Sequence, residues 1–261
     1  MTAASSMKWF ITVRPAAICL SGTAYEKRKV VINVIKKTTC ALAVLAITSG
    51  TAIAESIDVK VIGTIKPPAC TPTLAGGGTL DYGTILPNTL SDDAFTVLEE
   101  KQVEFSITCD AAAKVALNAK TGRALSAVDN DGTLVDISAP GVAIFGNPDM
   151  RAYGLGLAGT KGVGGYGLRL ATGTMTADTQ SVDSLYSDDA TLTWVKGITG
   201  SLISTTARTF SWAKTGTLEP ISFTTLSGKL GVQAYINKKS ELDLTKPVQL
   251  DGLATLELVY L

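Results

Sequence analysis

Apolar residues recur at every second position, in short runs broken by Gly, Pro, Asp and Asn, and this limits what the chain can fold into. ESIDVKVIGTI places Ile57, Val59, Val61 and Ile65 on alternate positions, with Gly63 in the same series. That is the period of a half-buried strand. VEFSITC repeats it with Val103, Phe105 and Ile107, KVALNAKT with Val115, Leu117 and Ala119, and GGYGLRL with Tyr166, Leu168 and Leu170. ATLTWV, ARTFSWAKTG, EPISFTTL, KLGVQAYI and GLATLELVYL read as further strands, TLDYGTIL as a short one, and LTKPVQL as a weak one. Asp110 is read as opening a turn, and DNDGT (129–133) as another. No window carries a sustained helical period; LSDDAFTVLEEKQVEF offers a turn or two at most. About ten short strands with such punctuation predict an all-β sandwich rather than a βαβ architecture.

The opening of the chain reads as targeting material. Lys36 and Lys37 precede the apolar run CALAVLAI, and Ala52-Ile53-Ala54 supplies a small-residue exit. A basic n-region, a short h-region and an A-x-A site describe a secretory leader over residues 31–54. The run is too short for a membrane-spanning helix. Residues 1–30 sit upstream of an ordinary leader, and we read them as a start site placed too early; the alternative is a long n-region. The rest, residues 55–261, is expected to form a single β-sandwich domain, with room for an insertion around 145–215. It carries 16 basic against 22 acidic side chains, a net charge near −6. That gives no basic footprint for nucleic acid or an anionic membrane.

Two of the four cysteines, Cys19 and Cys40, lie before residue 55. Cys70 and Cys109 remain. An exported chain with two cysteines is expected to form one bridge, because oxidising compartments favour it; two free buried thiols are the alternative. Closing a loop of about 40 residues would stabilise the fold by roughly 4 kcal/mol on a chain-entropy model.

Catalytic chemistry finds little to work with. The chain has no histidine, which removes Ser-His-Asp, Cys-His and His-ligated metal arrangements. Two carboxylates alone suffice for glycoside hydrolysis, and Asp92-Asp93, Glu99-Glu100 and Asp188-Asp189 are candidate pairs, all in turn-like text. YGLGLAGTKGVGGYG (153–167) lacks the Gly-Lys-Ser/Thr of a phosphate loop and continues as strand. DNDGTLVD holds Asp129, Asp131 and Asp136 but not the full ligand set of a calcium loop. No metal or cofactor is expected. Trp194, Phe210 and Trp212 are candidate sugar-stacking aromatics, with Trp194 and Trp212 the pair to test; core packing is the plainer account. At the other end, Leu256, Leu258 and Tyr260 alternate to the last residues. A chain end in this state implies a paired strand.

Several of these stretches together resemble the pilin subunits of the chaperone–usher pathway, and more narrowly a group of enterobacterial fimbrial-like exported proteins. VKVIGTIKPPAC matches the family's V-x-F-x-G-x-V/I-x-x-x-x-C pattern through Val59, Val61, Gly63, Ile65 and Cys70. LDYGTI resembles its short strand before Gly, FSITCD places Phe105 and Ile107 before Cys109, KLGVQAYI resembles its late Ala-x-Tyr strand, and Tyr260 is penultimate. The match is close over 59–120 and 226–261 and loose between. The resemblance implies an immunoglobulin-like sandwich with an incomplete sheet edge. It implies partners: a periplasmic chaperone and an usher, then neighbouring subunits, joined by strand addition in a head-to-tail geometry. Leu256, Leu258 and Tyr260 would then face the chaperone.

With Val59–Ile65 read as the first strand of the domain, only Glu55 to Asp58 precede it, and the expectation is a subunit that accepts a strand without one to give. The function expected is a non-enzymatic structural or adhesion subunit, reaching the periplasm and then a fimbrium or the cell surface, where a glycan could be its receptor. The alternatives are a self-contained exported carbohydrate-binding module and, more distantly, a glycosidase.

Overall fold

A computed structural model describes residues 55–261; the expected leader (31–54) and the segment before it (1–30) lie outside the described residues. The chain divides into two units, one ending at Val61 and the other running from Ile62 to Leu261. Of the first, residues 55–61 are exposed and form no strand.

The second unit is all-β. Its strands are β1 (Cys70–Leu74), β2 (Thr96–Val97), β3 (Lys101–Thr121), β4 (Ala127–Val128), β5 (Leu134–Val135), β6 (Tyr153–Gly154), β7 (Leu157–Ala158), β8 (Lys161–Gly162) and β9 (Gly164–Leu170). There follow β10 (Thr176–Ala177), β11 (Gln180–Ser187), β12 (Val195–Lys196), β13 (Thr209–Lys214), β14 (Ser222–Ile236) and β15 (Ala254–Tyr260). One layer runs β1, the first half of β3, β14, β9, β6. The other runs β15, the second half of β3, β13, β11, β12. All these pairings are antiparallel.

The two layers share β3. Its 21 residues replace the two strands and the turn at Asp110 that the sequence suggests. Asp110 does not turn the chain, because its carboxylate accepts the Ala69 amide at 2.7 Å and its own amide donates to the Ala69 carbonyl at 3.0 Å. The change of layer occurs just after it. Register with β14 passes from Thr225↔Thr108 to Phe223↔Ala113, so Cys109 to Ala112 face the single residue Thr224. A bulge of this kind lets a strand bend from one sheet into the other. The amide of Thr224, which loses its ladder partner there, donates to the Asp178 carboxylate, as does that of Thr225. These hydrogen bonds hold the Asp178 carboxyl below its ordinary range, the Thr224 hydroxyl contributing most.

Between the layers lies the main core. Phe105, Ile107, Val115 and Leu117 of β3 pack there with Leu168, Leu170, Phe210, Trp212 and Phe223. A second, smaller cluster of Val128, Ile144, Met150 and Ala152 surrounds Tyr235. The Tyr235 hydroxyl sits between the Ser138 hydroxyl at 2.8 Å and the Val128 carbonyl at 2.5 Å, and burial raises its pKa. The glycine-rich stretch 153–167 packs closely where β6 begins it: a Cβ on Gly154 would lie 2.1 Å from the Ser126 hydroxyl oxygen.

EPISFTTL and KLGVQAYI form one strand, β14, while TLDYGTIL and LTKPVQL form none, and ATLTWV contributes only β12. No helix among the described residues is long and apolar enough to cross a membrane.

Candidate functional site: a sheet edge left open

The C-terminal strand carries the clearest functional geometry. Among the described residues β15 pairs with β3 alone. The Leu261 amide donates to the Lys114 carbonyl at 3.1 Å, and Tyr260 stands opposite Val115. Antiparallel ladders alternate. Residues 255, 257, 259 and 261 therefore bond β3, while Ala254, Leu256, Leu258 and Tyr260 turn their main-chain groups outward. Ala254, Leu256 and Leu258 pack on the main core, yet they remain partly open. Leu74, Leu80 and Ile85 are half-buried against the same core. Entry to β15 is fixed by the Arg123 guanidinium, which grips the Asp251 carboxylate through two hydrogen bonds of 2.9 and 2.6 Å. This contact holds the Asp251 carboxyl below its ordinary value.

β1 lies along the same β3 strand and shows a different edge. The Cys70–Cys109 disulfide ties its first residue to β3, and the two cysteines are opposite each other in register. Because Ala69 and Asp110 form the hydrogen-bonded pair, Cys70, Pro72 and Leu74 present their main chain outward. Two of those three positions offer no donor. Pro72 has no N–H, and the Cys70 amide is spent on the Tyr260 phenol oxygen at 2.7 Å. Proline on an edge is a common way to blunt it against pairing. The long free edge is that of β15.

The stretch read as the first strand is the main correction. Val59, Val61, Gly63 and Ile65 lie in no strand; Val59 is 84% exposed, Val61 92% and Ile65 100%. The register of β1 shows why. Continued backward, it would set Ile65 against Lys114 and Val59 against Lys120. Those β3 positions already bond Leu261 and pair with Thr255. The two alternating segments want the same side of β3, and β15 holds it. Pro67 and Pro68 interrupt the ladder just before Cys70.

Trp212 is fully buried, edge-on to Phe210 and Phe223 at 6.0 and 5.9 Å, so it cannot stack on a sugar. Its indole nitrogen has no hydrogen-bond partner. Trp194 is half-buried in the loop before β12, and the pair makes no platform. Asp92 meets Lys239, Glu100 meets Arg169 and Asp188 meets Arg208. Asp189 accepts from Thr191 and Thr193 and is held down to about 2, chiefly by the Thr191 hydroxyl. Asp131 accepts the Thr133 amide of its own turn, while Asp129 and Asp136 accept the Ala139 and Leu125 amides from across the β4–β5 hairpin. Among the described residues no carboxylate is buried and no cluster could hold a metal. Sequence reasoning missed the Tyr260–Cys70 bond and the blunting by Pro72; the penultimate tyrosine and CTPTL carried the signal.

The class of protein that fold and edge define is a disulfide-tied β-sandwich with one sheet edge left open at its C-terminal strand. Residues 59–167 match a family described as "Protein of unknown function (DUF1120)". The chain is 30% identical over 240 residues to "Protein GltF" of Escherichia coli (strain K12), covering 85% of this chain and 94% of that protein. It is 26% identical over 245 residues to "Uncharacterized protein YhcF" of the same organism, covering 88% and 100%. The chain belongs to this family. No solved structure matches it.

Proposed function

We propose that this chain is a non-enzymatic, fimbrial-like structural subunit, exported by its leader and completed by an extended strand from another chain. The observation that carries this reading is the outward main chain of Ala254, Leu256, Leu258 and Tyr260 beside partly open core side chains. An extended peptide added there gains main-chain hydrogen bonds from the edge and pockets for alternate side chains. In the periplasm the first such strand comes from a chaperone that feeds an usher, and later from a neighbouring subunit.

The same chain has a segment of the right chemistry to supply that later strand. Ile57, Val59, Val61 and Ile65 alternate and stand exposed. The expectation of a subunit that accepts but cannot give arose from counting them into the domain. Counted outside it, the segment serves as donor, and the contact is head to tail, the kind that grows filaments.

The test is assembly of the full exported chain, read by size-exclusion chromatography and by co-purification with a fimbrial chaperone. Val61→Asp is expected to abolish head-to-tail oligomers yet leave the monomer folded and still retained by the chaperone. Leu258→Asp is expected to lose both. Oligomers that survive Val61→Asp would overturn the donor assignment, and a chaperone indifferent to Leu258→Asp would overturn the edge.

A further inference from the structure

The end of β15 and the beginning of β1 meet. Both strands run antiparallel to β3 along one side of it: β15 from Thr121 down to Val115, β1 from Cys109 down to Phe105. They tile a single edge end to end, with residues 62–69 leading into β1 at the joint. Tyr260 spans the joint: its phenol oxygen accepts the outward amide of Cys70 at 2.7 Å. The two residues are 190 positions apart in sequence. Ala69 is held on its other side by Asp110 through its amide and its carbonyl, and Cys70 by the disulfide.

We infer that Tyr260 is a positioning residue that couples β15 to the base of β1: it sets how firmly that base is held at Cys70 according to the state of β15. This rests on the reading of β15 as an accepting edge. Tyr260 belongs to that edge by its backbone and to the base of β1 by its hydroxyl. A strand that pairs with β15 takes up the outward main chain of Tyr260 and fixes its side chain, so the Cys70 amide is held more firmly when the edge is filled than when it is free. The disulfide and Asp110 hold the base against β3 whether or not the edge is occupied. Tyr260 alone reports on it.

The experiment uses the full chain, the variant Tyr260→Phe, and a synthetic peptide of residues 55–66 as the added strand, with amide hydrogen exchange resolved by residue. Tyr260→Phe keeps the ring and removes only the acceptor. It is expected to speed exchange at Cys70 at least tenfold without changing the thermal midpoint or exchange at Ile107. Adding peptide to the wild type is expected to slow exchange at Leu256, Leu258 and Cys70 together; in Tyr260→Phe it should slow the first two and leave Cys70 unmoved.

Equal Cys70 exchange in both proteins would overturn the inference. So would a peptide that slows Cys70 equally in both. A peptide that protects no β15 amide would remove the accepting edge itself, and the coupling with it, while faster Cys70 exchange in the variant would place that failure in the edge and not in the Tyr260 contact.

Discussion

Two segments of this chain read almost alike and end in opposite states. ESIDVKVIGTI and ATLELVYL both alternate apolar and polar residues, and either could line β3. ATLELVYL is paired along seven positions and half-buried, whereas Ile57, Val59, Val61 and Ile65 stand at 84% exposure or more. The difference lies in the flanks. The C-terminal strand is delivered to β3 by the Arg123–Asp251 fork and by Leu253, whose carbonyl accepts the Gly122 amide at 2.7 Å. The N-terminal segment is released by Pro67 and Pro68. Alternation shows that a segment is fit to be a strand. It does not show whose strand it will be.

The strongest way to break this comparison is to remove the winner. A chain ending before Leu256 leaves β3 without its partner from Val115 to Ala119, and we expect it to lose cooperative unfolding by circular dichroism when no partner is present. Should the deleted chain still unfold cooperatively, with residues 57–65 protected from exchange, the two segments would be interchangeable on β3.

Next in size is the disulfide. Replacing Cys70 and Cys109 together by Ser is expected to cost about 2–5 kcal/mol in urea unfolding, the range for loss of a native disulfide from a small domain. The Tyr260 hydroxyl of β15 meets β1 at Cys70, so the loss should appear in the domain and also in exchange at Ala69.

Single side chains sharpen the contrast. Leu258→Ala should cost roughly 1–2 kcal/mol, less than the 2–5 of a fully buried leucine because the site is half open. Val61→Ala should stay within about 0.5 kcal/mol, as at an ordinary surface position. Comparable costs would mean that Val61 packs on the domain.

The smallest effect is one of pH. The Asp251 carboxyl has its pKa lowered chiefly by the hydrogen bond from Arg123. A carboxyl depressed in the folded state adds stability above its unfolded pKa and loses it as pH falls through the folded one. The wild type should therefore exceed Asp251→Asn in stability at neutral pH, and the gap should close below about pH 4, where unfolded aspartate takes up protons. A gap independent of pH would place the Arg123 contact in packing and not in charge.

Much of the fold was legible. The all-β class followed from period-two runs, and the Cys70–Cys109 bridge from cysteine count and compartment. Boundaries were less so. β3 reads as two strands because Asp110 looks like a turn residue; nothing local reveals that its carboxylate is claimed by Ala69, 41 residues away. Phe210 and Trp212 stand two residues apart on β13, and the core is what they face. At the edge, Leu256, Leu258 and Tyr260 could be named from sequence. The competition that ejects Val59 to Ile65 could not, since it depends on two long-range registers along one side of β3.

The central claim is that β15 presents an edge ready for one more strand. Residue-resolved amide exchange on the full chain, with and without an excess of the peptide 55–66, tests it most directly. The account predicts new protection at Leu256, Leu258 and Tyr260, whose amides face outward, and none at Thr255, Glu257 and Val259, whose amides already bond β3. Protection absent from all six, or spread evenly across them, would contradict it.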